Sequence, residues 1–246
     1  MKLSLQAKVV RGFVLVGALT SLVWLNGCSS SSNATDSVTT DLSNGNQVFS
    51  ATFSTVVDTI KKSTGVDLTG AQAPKTIILT CSDSRVPPEL VFNKTLGDLF
   101  VIRVAGNVLD KDQLASIEYA VEHKWANKII LLGHTKCGAV KEATQVWKDN
   151  KTGFTPATTG KMVNLENLIG KIYPSVKKAN TLTHYTSMSA PNANLWEASI
   201  DENTNEMYVQ LMEDEIIKEA IADSANVLKS VIKAKYDVTT GKVSFL

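Results

Sequence analysis

The chain has 246 residues, 43% hydrophobic and 20% charged, with 14 Gly and 6 Pro, a balance that excludes collagen-like, low-complexity and wholly disordered classes and fits one globular domain. Twenty-five basic against 24 acidic residues leave +1, and removing the acid-free first 27 residues with their three bases takes the charge to −2. Such a near-neutral chain lacks the basic footprint of phosphate-backbone binding, so no nucleic-acid partner is expected. Three cysteines are too few for a disulfide scaffold, and each needs its own account.

Met1 to Gly27 run in signal-peptide order: a basic start with Lys2, Lys8 and Arg11, a 14-residue apolar run from Gly12 to Leu25, then Leu25-Asn26-Gly27-Cys28. The run is short of the roughly 20 residues that cross a bilayer as a helix. Leu three positions before Cys28, with Gly just before it, resembles a bacterial lipobox. That resemblance implies cleavage before Cys28 and lipidation of its thiol. The protein would then be exported and anchored to a bacterial membrane, facing the periplasm if the source is Gram-negative and the cell surface otherwise. An ordinary signal peptide with an incidental cysteine is the alternative. Residues 28–47 are Ser-, Thr-, Asn- and Asp-rich with almost no apolar content, and read as the anchor cysteine followed by a disordered tether. Coil statistics give that tether a reach of roughly 25 Å.

From residue 48 onward the chain reads as one catalytic domain, 48–246. Val48, Phe53, Val56, Val57 and Ile60 predict an amphipathic helix over 48–62, ended by Ser63-Thr64-Gly65. Thr76–Thr80, Leu99–Val104 and Lys128–Leu132 are continuous apolar runs suited to central parallel strands covered on both faces. Between the second and third, Leu114, Ile117, Val121 and Trp125 form one helical stripe over 113–125, so strand, helix and strand make a right-handed crossover. Further helices are predicted from Gly138 through Trp147, over 162–173, and as one long element over 206–233. Residues 235–246 read as two short strands around Thr239-Thr240-Gly241, while 150–160 and 180–205 read as polar loops. The expected class is α/β, a mostly parallel sheet flanked by helices.

Cys81 follows the first strand run, and His134 and Cys137 follow the third. Crevices in open parallel sheets form at the carboxyl ends of the strands, where these three side chains would meet. Two thiolates and an imidazole around one open position is a catalytic zinc arrangement. The alternative is a Cys81–Cys137 disulfide, which an oxidising compartment would favour. His134 beside Cys137 and the polar cluster Ser82-Asp83-Ser84-Arg85 after Cys81 weigh towards the metal. His123 and His184 read as solvated surface residues, and Trp125 and Trp147 as packing at the ends of apolar stripes. Arg103, inside an apolar strand, calls for a buried carboxylate partner, with Asp98 the candidate.

The chain here resembles the beta-class carbonic anhydrases, whose signature is C-x-D-x-R followed some fifty residues later by H-x-x-C. Both halves are present, as Cys81-Ser82-Asp83-Ser84-Arg85 and His134-Thr135-Lys136-Cys137. The likeness extends from about Ala71 to Val140 and reappears at Tyr236-Asp237-Val238-Thr239-Thr240-Gly241. It implies one zinc per chain held by Cys81, His134 and Cys137, a catalytic Asp83–Arg85 dyad, and Gln72 helping to hold bicarbonate. It also implies reversible hydration of carbon dioxide, and a homodimer or higher assembly with an N-terminal helical arm lying on the partner. Asp83 can alternatively serve as a fourth zinc ligand that closes the site. The alternatives in function are hydrolysis of a related small substrate such as carbon disulfide, or a non-catalytic zinc-binding member of the fold. Only eight residues, Leu228 to Lys235, separate Val227 from Tyr236. That is shorter than the family usually shows, so a fifth strand of the usual length, and assembly contacts built on it, are not expected.

Overall fold

The computed structural model describes residues 37–150, 153–182 and 195–246. The signal segment 1–27, Cys28, residues 29–36 and His184 lie outside them. The chain divides into two units, Met1–Thr52 and Phe53–Leu246. In the first, every described residue is helical, because helix α1 covers Ser37–Thr64. The expected tether is therefore corrected: residues 37–47 continue the helix predicted from Val48. Adding a residue to an existing helix requires far less than nucleating one, so a polar stretch can follow an apolar one into helix. Among the described residues, no helix is long and apolar enough to cross a membrane.

The second unit is built on a five-stranded sheet. Its strands are β1 (Thr76–Thr80), β2 (Leu99–Arg103), β3 (Lys128–His134), β4 (Ser230–Tyr236) and β5 (Val243–Phe245), in the order β2-β1-β3-β4-β5. The first four are mutually parallel and β5 is antiparallel to β4. Alternation across the pleat sends Ile77, Leu79, Ile129 and Leu131 into the larger core, and Ile78, Ile130 and Leu132 into a smaller one with Val86 and Ala234. Both faces are thus covered, as the unbroken apolar runs require. Each fully buried Ile or Leu contributes about 1.5–3 kcal/mol of apolar burial. The fifth strand is present but only three residues long.

The helices are α2 (Pro88–Val91), α3 (Lys111–Glu122), α4 (Gly138–Asp149), α5 (Val163–Ala179), α6 (Leu195–Glu213) and α7 (Glu215–Ala222). Helix α3 starts two residues earlier than expected, where Gln113 accepts from the Asp110 amide, and Lys124 takes a left-handed φ of 54° soon after its end. Trp125 consequently lies beyond the helix, 6.2 Å from Phe100 and 5.4 Å from Tyr119 between ring centroids. His123 is exposed, as expected, with its ring against Tyr119 and Trp125.

Two expectations are corrected at the C-terminal end. The long helix over 206–233 is instead the end of α6, then α7, then β4. Asp214 interrupts it by accepting from the Ile217 amide at 3.0 Å as the cap of a new helix. Asp223 and Asn226 then turn the chain through side-chain bonds to the amides of Ala225 and Leu228. The predicted loop over 180–205 contains the first half of α6, which crosses β3 at Gly133. A Cβ at Gly133 would lie 2.5 Å from Thr204 Oγ1, which itself bonds the Ile200 carbonyl. Gly133→Ala should therefore lower stability by about 1–3 kcal/mol through overpacking. The measurement is a reduced urea midpoint at unchanged slope, and an unchanged midpoint would contradict the close approach.

Candidate metal centre

Strands β1 and β3 are adjacent and parallel, with Thr80 opposite Leu132, so their carboxyl ends leave the sheet side by side. Cys81 is the first residue after β1, His134 the last of β3, and Cys137 the cap before α4. All three are buried, and one ligand atom from each lies within 4.8 Å of the others. The two sulfurs are 3.9 Å apart. A disulfide needs about 2.05 Å, whereas two sulfurs on a tetrahedral zinc with bonds of about 2.3 Å stand roughly 3.8 Å apart.

The imidazole is aimed at the same point. His134 Nδ1 lies 2.9 Å from the Thr135 carbonyl, which fixes the proton there and leaves Nε2 as the lone-pair nitrogen. Nε2 is buried and has no hydrogen-bond partner among the described residues. An orphaned buried nitrogen facing two thiols is a donor set that fits zinc. The Cys137 hydrogen bond is the first cause that pulls Cys81 below the ordinary thiol range, and the same bond pushes Cys137 above it.

Asp83 lies on the solvent side of this cluster, its Oδ2 3.9 Å from His134 Nε2. Arg85 grips it through Nε to Oδ1 at 2.9 Å and a terminal nitrogen to Oδ2 at 2.7 Å, and its own amide adds a third bond. This two-pronged contact is the main reason the carboxyl is held well below the usual carboxylate range. Arg85 also donates to the Lys136 carbonyl at 3.3 Å, linking the first motif to the second. The carboxylate thus faces the guanidinium. Gln72 is exposed and has no hydrogen bond to a described residue.

Among the described residues Arg103 has no carboxylate partner, which corrects that expectation. Its Nε donates to the Cys81 carbonyl at 3.2 Å and a terminal nitrogen to the Asp83 carbonyl at 2.7 Å. The partner is backbone because β2 ends at Arg103, level with Thr80, and the side chain reaches over the turn that carries the ligand and the acid. Asp98 instead accepts from the Thr95 amide in the turn before β2.

The first turn of α6, unforeseen from sequence, braces the other loop. Trp196 Nε1 donates to the Cys137 carbonyl at 2.7 Å, and Glu197 accepts from the Lys136 amide at 3.0 Å. The C-terminal motif completes the clamp: the Thr135 amide donates to the Tyr236 carbonyl, and Lys136 Nζ to Thr239. Lys136 takes a φ of 58°, the backbone turn that sets His134 and Cys137 around one point.

The carbonic anhydrase family profile matches residues 76–243. A carbonic anhydrase of Mycolicibacterium smegmatis is 51% identical over 74 residues, 30% of this chain and 36% of that protein. Carbonic anhydrase 2 of Mycobacterium tuberculosis is 46% identical over 82 residues, 33% of this chain and 40% of that protein. The matched stretch thus spans two fifths or less of these curated relatives. Among solved structures, the beta-carbonic anhydrase CcaA is 25% identical, covering 85% of this chain and 95% of its own, with a TM-score of 0.68. A tetrameric beta-carbonic anhydrase of Sordaria macrospora shares the fold at 22% identity, covering 86% of this chain and 98% of its own, with a TM-score of 0.67.

Three converging donors define one tetrahedral site, so the purified protein should hold about one zinc per chain by elemental analysis. Cys137→Ser should fall to a small fraction of that under mild chelation. Equal zinc in the variant would remove Cys137 from the ligand set.

Proposed function

The chain belongs to the carbonic anhydrase family, of the beta class by fold, and on that premise we propose that it interconverts carbon dioxide and water with bicarbonate and a proton. The observation that carries this reading is a buried Cys81, His134 and Cys137 triangle with the Asp83–Arg85 pair on its solvent side. Zinc held by the two sulfurs and by His134 Nε2 would supply the Lewis acidity that makes water a nucleophile near neutral pH. Arg85 keeps Asp83 ionised and fixes its plane. The carboxylate can then accept one hydrogen bond from the attacking water and leave a lone pair aimed at the carbon. The proton released on hydration passes to solvent and buffer. A purely structural zinc site would gain more from a fourth Cys or His than from an Asp–Arg pair, which favours the enzyme over a non-catalytic reading.

The same proposal includes a homodimer or larger assembly, supported by Val38, Leu42 and Val48, apolar side chains that α1 leaves exposed. In it Gln72 helps to hold bicarbonate. The proposal also includes export and lipidation at Cys28, which rest on Leu25-Asn26-Gly27-Cys28 after the basic and apolar segments. More than one acyl chain on the cysteine is what makes such an anchor stable.

Asp83→Asn should keep zinc yet lose on the order of 10²-fold in carbon dioxide hydration followed by stopped flow, and Arg85→Ala should do likewise. Full hydration rates in both zinc-loaded variants would remove the pair from the mechanism. Native protein in the producing bacterium should fractionate with membranes, and Cys28→Ala should not. Native protein recovered soluble and still beginning at Met1 would overturn the anchoring while leaving the zinc chemistry untouched.

A further inference from the structure

We infer that Asn203, in the middle of α6, is a positioning residue that sets the electron donation of the Cys81 thiolate by anchoring Gly106; the inference rests on the zinc reading of the site. The Gly106 amide donates to Cys81 Sγ at 3.3 Å. On its other side, the Gly106 carbonyl accepts from Asn203 Nδ2 at 2.7 Å. The Gly106 carbonyl can only accept, which settles that the amide nitrogen faces the glycine, and Ser175, on α5, stands 3.5 Å from Asn203 Oδ1. Asn203 is fully buried, Ser175 1% exposed and Cys81 4% exposed, so no water competes for these bonds.

Glycine is what makes this anchor necessary. Gly106 sits at φ 72° in the short 3-10 turn Ala105–Asn107, and a Cβ there would lie 2.6 Å from Ile172 Cδ1. A residue with no side chain has no rotamer or Cβ packing to hold its orientation. Two bonds hold it instead, one at the sulfur and one at Asn203. A buried Asn amide in a helix interior is unfavourable unless each end is matched, and here both ends are. The same helix also holds the Cys137 side of the site, through Trp196 and Glu197, so the two sulfur ligands share one rigid support. Hydrogen bonds to a ligating thiolate withdraw charge from it, and partners of this kind typically alter metal affinity or activity by 10–100-fold.

The test uses the full chain loaded with cobalt(II) or cadmium-113, comparing wild type with Asn203→Leu, which keeps the volume and removes the donor. In cobalt protein the sulfur-to-metal charge-transfer band should move to longer wavelength in the variant, because a thiolate without its hydrogen bond gives up charge more readily. In cadmium-113 wild type, the Gly106 amide proton should show scalar coupling to the metal through the sulfur, and the variant should lose it with cadmium retained. That wild-type coupling needs no variant, so a poorly folding Asn203→Leu leaves the contact testable, and absent coupling in loaded wild type would overturn the proposal. An unchanged band and coupling in a folded, loaded variant would overturn the role of Asn203 alone. Wild type that takes up neither metal would contradict the metal centre itself, and this proposal with it.

Discussion

Two thiols and an imidazole with a bare nitrogen meet in the interior as a donor set that fits a cation, and this chain is arranged around that meeting. His134 is fully buried and Cys81 and Cys137 nearly so, at 4% and 1% exposure. Without an ion the cluster would hold an orphaned Nε2 beside two buried sulfurs 3.9 Å apart. Two thiolates match the charge of a divalent ion, so the assembled centre is neutral and the usual objection to buried charge falls away.

The sheet makes the meeting possible. Because β1 and β3 are neighbours and parallel, with Thr80 at the end of β1 level with Leu132 two residues before the end of β3, ligands 53 and 56 residues apart in sequence become neighbours. Beyond the bonds to Cys81 Sγ and His134 Nδ1, the polar groups around them restrain the loops. Arg103 holds two carbonyls of the first loop, and Trp196 and Glu197 hold the second. Arg85 belongs to both, gripping Asp83 and reaching the Lys136 carbonyl. Catalytic geometry of this kind depends on the precision of the support as much as on the identity of the reacting groups.

What could be read from sequence follows from how local each signal is. Strands β1 and β3 announce themselves because both faces of the sheet are buried there, leaving unbroken apolar runs such as Thr76–Thr80, and β2, at the sheet's edge, carries a similar run. Asp83 and Arg85 stand two residues apart, so their pairing needs no knowledge of the fold. The first half of α6 gave no such signal, since its buried face includes Ser199, Glu202, Asn203 and Thr204 alongside Leu195 and Ile200. A polar buried face erases the hydrophobic period on which helix reading relies. Strand β4 hid for a related reason. Lys233 and Lys235 break its apolar pattern, and their partners Asn205, Glu197 and Asp201 all lie on the unrecognised α6. Missing one element therefore concealed another, together with the support of the metal loops. The N-terminal helix was foreshortened for an opposite reason: cooperative extension carries residues 37–47, whose side chains contribute nothing to a core.

The central claim is a metal centre of two sulfurs and one imidazole nitrogen at the carboxyl ends of β1 and β3. X-ray absorption at the zinc edge of the purified full-length protein tests it most directly. The account predicts a first shell of two sulfurs at about 2.3 Å and two nitrogen or oxygen atoms at about 2.0–2.1 Å, with the outer-shell scattering of one imidazole. A first shell of nitrogen and oxygen alone, or of four sulfurs shared between chains, would contradict it.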